Sequence, residues 1–252
     1  MNMDSINHPV GNLKIYFLKF LSEHISQLIL FFVGFFLKIN KKESEIIISS
    51  AFYAPWKKDI QFKNFFKKIK NLTLLDKKRA YTLWYLAKNL RSINGTILDL
   101  GCLRGGAGFI MSKVNQKGFV YCYDTFSGFQ RNSKFYKKKH FVYSNVNQVK
   151  ADAKNLKLKK IKIIKSIFPL NLKEKIKSVK LCHIDVNTYS STRDAFYFVV
   201  SRLLRGGIIV FDDYGIYGNN NIKKFISKIS KKFNKDYHFI FNFMGQCILI
   251  KK

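Results

Sequence analysis

Thr96-Ile97-Leu98-Asp99-Leu100-Gly101-Cys102-Leu103-Arg104-Gly105-Gly106-Ala107-Gly108 is the stretch that decides the fold. An apolar run of strand character enters a turn with glycine at 101, 105, 106 and 108, and apolar residues of a following helix come directly after. Such a turn lets backbone approach a ligand and aims the free N–H groups of the next helix at it. Gly-rich strand-to-helix turns also occur without ligands, and this spacing is not the dinucleotide fingerprint.

Working outward, the pattern predicts strand 96–100, helix 106–116, strand 118–123 and a basic irregular segment over 127–145. Helix 146–155, strands 161–164 and 179–186, helix 190–204, strand 207–212, helix 221–232 and strands 237–243 and 246–250 follow. Upstream, Ala80, Leu83, Trp84, Ala87 and Leu90 recur at helical steps until Asn94-Gly95 ends the pattern. Strands separated by helices imply an α/β domain: a mainly parallel seven-stranded sheet with helices on both faces.

Ligands of such sheets sit at the carboxyl ends of the strands. The second strand ends at Asp124, where a carboxylate can accept hydrogen bonds from the vicinal hydroxyls of a ribose. The strand Val179 to Ile184 runs into Asp185, and Gly207 to Phe211 runs into Asp212-Asp213. The intervening helix returns the chain to the same sheet edge, so three carboxylates converge on one rim. Crowded carboxylates repel unless protonated or bridged by a cation, and hard oxygen ligands suit Mg²⁺. Read without that convergence, Asp212 and Asp213 are ordinary solvated loop residues. His183, alone on a strand, reads as structural, with service as a base the alternative if the fold brings it within hydrogen-bond reach of a substrate.

With 252 residues, 47% hydrophobic and 16% aromatic, the chain can bury one substantial core. The expected division is an N-terminal helical and aromatic extension over 1–71 and one domain over 72–252. Lys+Arg number 46 against 15 Asp+Glu, a formal charge of +31, which raises nucleic acid, acidic glycan or anionic membrane as partners. The lysines are spread along the chain, however, as A+T-rich coding would spread them, and no RNA-binding module accompanies them. The longest apolar run, Leu28 to Leu37, spans only ~15 Å as helix against a ~30 Å hydrocarbon core. Residues 12–39 are therefore expected to pack on protein, this domain or a second subunit of a homo-oligomer. The alternative is peripheral membrane contact with Lys14, Lys19 and Lys38 as snorkelling flanks. Cys102, Cys122, Cys182 and Cys247 lie in or beside apolar stretches without metal-ligand spacing, consistent with a reducing cytoplasm.

Four segments carry a resemblance: Leu98 to Gly108, Asp124 to Phe129, His183 to Thr192 and Leu204 to Tyr214. In order and spacing they resemble the macrocin O-methyltransferase family from about Leu72 to the terminal Gly245 to Ile250. Members are S-adenosyl-L-methionine-using, metal-dependent enzymes that methylate sugar hydroxyls, with a Rossmann-like class I methyltransferase fold. The resemblance assigns Asp99, Gly101, Arg104, Gly105, Gly106, Asp124 and Ser127 to the methyl donor, and Asp185, Asp212 and Asp213 to Mg²⁺ or another divalent cation. Tyr189 and Ser191-Thr192 match the segment that follows the first metal acid. Asp185, as ligand or base, and His140, in the loop after the second strand, are the candidate catalytic residues. The sequence departs from the family pattern with Asp99 for Glu, Asn187 for Asp, Leu103 for an aromatic, and lysines over 130–145 in place of an acidic loop. The implied acceptor is a small molecule or glycan; a nucleic-acid methyltransferase and a non-catalytic membrane-associated scaffold are the alternatives.

Overall fold

The structure is a computed structural model that describes residues 13–37, 53–128, 141–142, 145–170, 172–215 and 220–252. Its chain divides into two units, Met1–Pro55 and Trp56–Lys252. In the first, helix α1 runs Leu13–Leu37. Ser26 Oγ and His24 Nδ1 bond back to the carbonyls of Ser22 and Phe20 at 2.6 and 2.8 Å, quieting the polar interruption between its apolar ends. Phe17, Phe20, Phe31, Phe32, Phe35 and Phe36 are exposed. Among the described residues no helix is long and apolar enough to cross a membrane.

The second unit opens within α2 (Pro55–Lys58) and continues into α3 (Ile60–Ile69). The lysine-aromatic mixture of this segment hides a helix. Phe62, Phe65 and Ile69 lie on one face and bury against Trp84, while the lysines take the other. Asp59 caps α3 by accepting from Phe62 N–H at 2.9 Å and also accepts from Trp84 Nε1 at 3.0 Å. Helix α4 (Lys77–Asn89) is capped by Asp76, which accepts from the N–H groups of Lys78 and Arg79. Its buried stripe is Ala80, Leu83, Trp84 and Ala87.

The alternation then unfolds as expected: β1 (Thr96–Leu100), α5 (Gly106–Val114), β2 (Val120–Asp124), α6 (Val146–Asn155), β3 (Ile161–Lys165), β4 (Val179–Ile184), α7 (Tyr189–Val200), β5 (Leu203–Phe211), α8 (Asn220–Phe233), β6 (Tyr237–Asn242) and β7 (Gln246–Lys251). The order in the sheet is β3-β2-β1-β4-β5-β7-β6; β7 alone runs antiparallel to both neighbours. One departure concerns β5, which starts at Leu203 inside the stretch expected to be helix. Arg202 N–H closes α7 onto Val199 O, and Val179 N–H takes Arg202 O at 2.8 Å, so Leu203 pairs with Val179 before the chain bulges at Gly206 (φ 71°).

Both faces are covered, so the central strands are apolar throughout rather than alternating. Ile97, Val120, Cys122, Leu181 and Val210 face a core shared with α3, α4 and α5, whereas Leu98, Tyr123, Cys182 and Phe211 face one shared with α7 and α8. All four cysteines are free and buried. Lys180, also buried, donates to Ile93 O, Asn115 Oδ1 and Lys117 O at 2.8–2.9 Å, tying the loops at the amino ends of the strands. Strand succession reverses between β1 and β4, which are neighbours, and a crevice between two such strands is where an α/β sheet receives ligands.

Candidate active site

At that reversal two halves of the rim touch. Gly101 leaves β1 with φ 88°, and a Cβ there would lie 2.0 Å from Asp185 O. Asp185 N–H meanwhile donates to Leu100 O at 2.9 Å. Glycine at 101 is needed on two counts, for the left-handed backbone and for the approach of the β4 end. The other glycines of the turn are closely packed as well. A Cβ on Gly105 would strike the Phe109 ring and Val149, one on Gly106 would strike Leu72 O, and one on Gly108 would strike Cys122 Sγ. Arg104 Nη1 donates to Asn71 O at 3.0 Å, fastening the turn to the segment before α4. Asp124 closes the turn from β2: its carboxylate accepts from Leu103 N–H and Phe126 N–H, both at 2.8 Å. Burial lifts the Asp124 carboxyl above its ordinary range, against these two N–H groups, which favour the charged form. Ser127 is exposed just beyond.

On the acidic half, Asp99 is wholly buried and engaged on both oxygens, Oδ2 by Gly108 N–H at 2.7 Å and Oδ1 by His183 Nδ1 at 2.8 Å. Asp99 therefore orders the start of α5 and orients a histidine. His183 is 1% exposed, and its second nitrogen, Nε2, has no hydrogen-bond partner. Ligand atoms of His183, Asp185 and Asp212 lie within 4.8 Å of one another. The histidine read as structural thus belongs to the acidic cluster. Strand pairing puts it there: Asp99 and His183 are opposite each other in the β1/β4 ladder, and His183 is opposite Val210, two residues before Asp212.

Arg79, on α4, crosses to this cluster. Its Nη1 donates to Asp212 Oδ2 and lies 3.8 Å from Asp213 Oδ1, and its Nε donates to Asp76 Oδ2 at 2.8 Å. Gln246 Nε2 donates to Asp212 Oδ1 at 2.9 Å. Asp213, in a left-handed turn conformation (φ 60°), stands beside Arg79 and is not among the converging ligand atoms. Burial pushes Asp185 well above the ordinary carboxylate range, the charges of Asp212 and Asp213 push it further, and His183 and Arg79 oppose. For His183 burial acts downward, but the hydrogen bond and charge of Asp99, with the charges of Asp212 and Asp185, outweigh it and raise the imidazole to about 9.

His140 lies outside the described residues, as does most of the lysine-rich loop around it. Tyr189 and Thr192 open α7, with Tyr189 edge-on to Phe225 and Thr188 capping the helix through Ser191 N–H. Arg79, Gln246 and the Asp99–His183 pair were missed by sequence reasoning. The Asp-x-x-Arg spacing at 76–79 is a faint signal for Arg79, lost among the lysines of its helix. A cleft of about 960 Å³ runs along β3 and α6, lined by Lys150, Lys154, Lys165 and Glu174 among others. Its Ser166 end adjoins Asp124, whose carbonyl accepts Ser166 N–H, and the rest lies away from the acidic cluster.

Residues 70–239 match the model of the Macrocin-O-methyltransferase (TylF) family. No curated protein matches the chain by sequence. Among solved structures, the O-methyltransferase NovP is similar with TM-score 0.62 at 17% identity, over 71% of this chain and 82% of that one. The calicheamicin methyltransferase CalS11 is similar with TM-score 0.56 at 12% identity, over 82% and 99%. An O-methyltransferase from Bacillus cereus in complex with SAH is similar with TM-score 0.51 at 14% identity, over 77% and 91%. At these identities the likeness is one of fold, and it agrees with the seven-stranded sheet and the rim built on it. The family match, which spans the glycine turn, Asp124, Asp185, Asp212 and Asp213, settles the assignment: the chain belongs to the macrocin O-methyltransferase family and is an S-adenosylmethionine-dependent O-methyltransferase.

Proposed function

We propose that the chain methylates a hydroxyl of a sugar, glycoside or cell-surface glycan precursor with help from a divalent cation, Mg²⁺ in the first place. The observation that carries this reading is the contact of Gly101 with Asp185, which sets the donor turn and the acid cluster side by side on one rim.

The side chains fit both absent groups. Asp124 accepts one N–H on each oxygen and keeps a lone pair on each for the donor's ribose hydroxyls, and Gly101 and Asp99 hold the turn on which the donor rests. For the cation, the fit rests on His183, which has a ring nitrogen within 4.8 Å of carboxylate oxygens of Asp185 and Asp212 and a buried, unpartnered Nε2, with Asp99 fixing the ring as histidine ligands require. Asp185, Asp212 and Asp213 form the proposed acid set, and His183 extends it. When bound, the donor supplies an electrophilic methyl group and the cation makes a neighbouring hydroxyl easier to ionise. Asp185 would hold the cation or accept the hydroxyl proton, with His140 as second candidate for the base. Arg104, Gly105 and Gly106 shape the turn from behind, through Asn71, Phe109 and Leu72.

The test is methyl transfer to a panel of sugar-bearing acceptors, with and without chelator. Activity should vanish in chelator and return with Mg²⁺, and Asp212→Asn should lose activity while keeping donor affinity. Full turnover in chelator would remove the cation from the mechanism.

A further inference from the structure

Asp212 follows β5 at 2% exposure with both carboxylate oxygens engaged, Oδ1 by Gln246 and Oδ2 by Arg79. The Arg79 side chain is itself only 13% exposed, held between Asp212, Asp213 and the α4 cap Asp76. A second and separate feature is His183 Nε2, buried without a partner in the same cluster as Asp185 and Asp212. The carboxylates have a protein cation already, and the second ring nitrogen of His183 has no partner.

We propose that Arg79 is the resident counter-cation of the acidic rim, and that a divalent cation enters the His183, Asp185 and Asp212 group by displacing its guanidinium from Asp212. This rests on the metal-assisted reading above. A carboxylate as buried as Asp212 is strongly destabilising when left unpaired, so some cation must face it at all times. A guanidinium and a dication sharing one carboxylate would stand a few ångströms apart in a medium that screens poorly, and their repulsion makes occupancy exclusive. Asp76 gives the arginine somewhere to stay. Its carboxylate already accepts Nε at 2.8 Å, and it is more than half exposed, so releasing Asp212 costs Arg79 one of its two carboxylate hydrogen bonds and leaves the other in place. Metal affinity is then a difference between two pairings of Asp212, and removing the arginine should raise it.

The experiment measures Mn²⁺ binding to the full-length protein, without methyl donor, from the EPR signal of free Mn²⁺. Arg79→Met should bind at least tenfold more tightly than wild type. Arg79→Lys, which keeps a charge but cannot span Asp76 and Asp212 as a fork, should fall between. Asp212→Asn should lose the site in either background. Because Arg79→Met leaves a buried carboxylate unpaired and can fail to fold, a second measurement uses wild type. The ¹⁵N resonance of the Arg79 side chain, identified by its absence in Arg79→Lys, should shift along the same Mg²⁺ saturation curve as binding. Equal or weaker Mn²⁺ binding by folded Arg79→Met, or an Arg79 resonance unmoved at saturating Mg²⁺, overturns displacement and leaves the metal reading standing. No saturable Mn²⁺ binding in wild type or either Arg79 variant overturns both.

Discussion

Asp99→Asn isolates the buried pair with little change of volume. One Asp99 oxygen takes Gly108 N–H, an obligate donor, so an asparagine must turn its oxygen there and its amide NH₂ toward His183 Nδ1. Two donors cannot face each other across 2.8 Å, so Nδ1 must become an acceptor and the charged imidazole is lost. Wild-type His183 is raised to about 9 from an ordinary 6.5. A raised pKa contributes stability that is complete below pH 6.5 and is lost as pH climbs through 9. Linkage puts that contribution at roughly 3 kcal/mol at pH 6, with most of it gone by pH 9. Urea unfolding of wild type and variant in chelator at pH 6, 7, 8 and 9 reads the difference, from which titrations elsewhere cancel. The stability gap should close by roughly 3 kcal/mol across this range. A gap that stays constant with pH would refute the charged pair. The same variant puts a hydrogen on Nε2, so its Mn²⁺ affinity should fall even at pH 8, where wild type still presents Nε2 to a metal once its proton is displaced.

Asp124→Ala should weaken binding of the methyl donor by about 1.5–3 kcal/mol, the usual cost of losing hydrogen bonds to a charged group. Calorimetry reads it directly, and unchanged affinity in a folded variant would take Asp124 out of the donor site. Gly101→Ala should destabilise the fold by about 3–4 kcal/mol: roughly 1–2 for a side chain at positive φ and the remainder for parting Asp185 from β1. Denaturant midpoints measure it, and a loss below ~1 kcal/mol would show that the rim opens without strain.

Much of the fold was legible because its signals are local. Glycine clusters, apolar runs and helical stripes act over a few residues, and helix α6 appears at its expected bounds, 146–155. The strand-end acids were legible for a related reason: in a wound sheet, the residue after each strand lands on the ligand rim whatever the strand order. Helix α3 was not, since its 62, 65 and 69 stripe is short and broken by lysines, and only burial against Trp84 reveals it.

The sequence by itself determined the mainly parallel α/β architecture, the glycine turn with Asp124 at the next strand end, and the strand-end acids Asp185, Asp212 and Asp213, because each follows from periodicity or chain order. Tertiary structure decided what those acids touch. Asp99 meets His183 only because β4 inserts beside β1, and Arg79 meets Asp212 only because α4 lies over that face of the sheet. Such pairings join residues 84 and 133 positions apart, and their partners are set by strand order and helix packing, which no local pattern encodes.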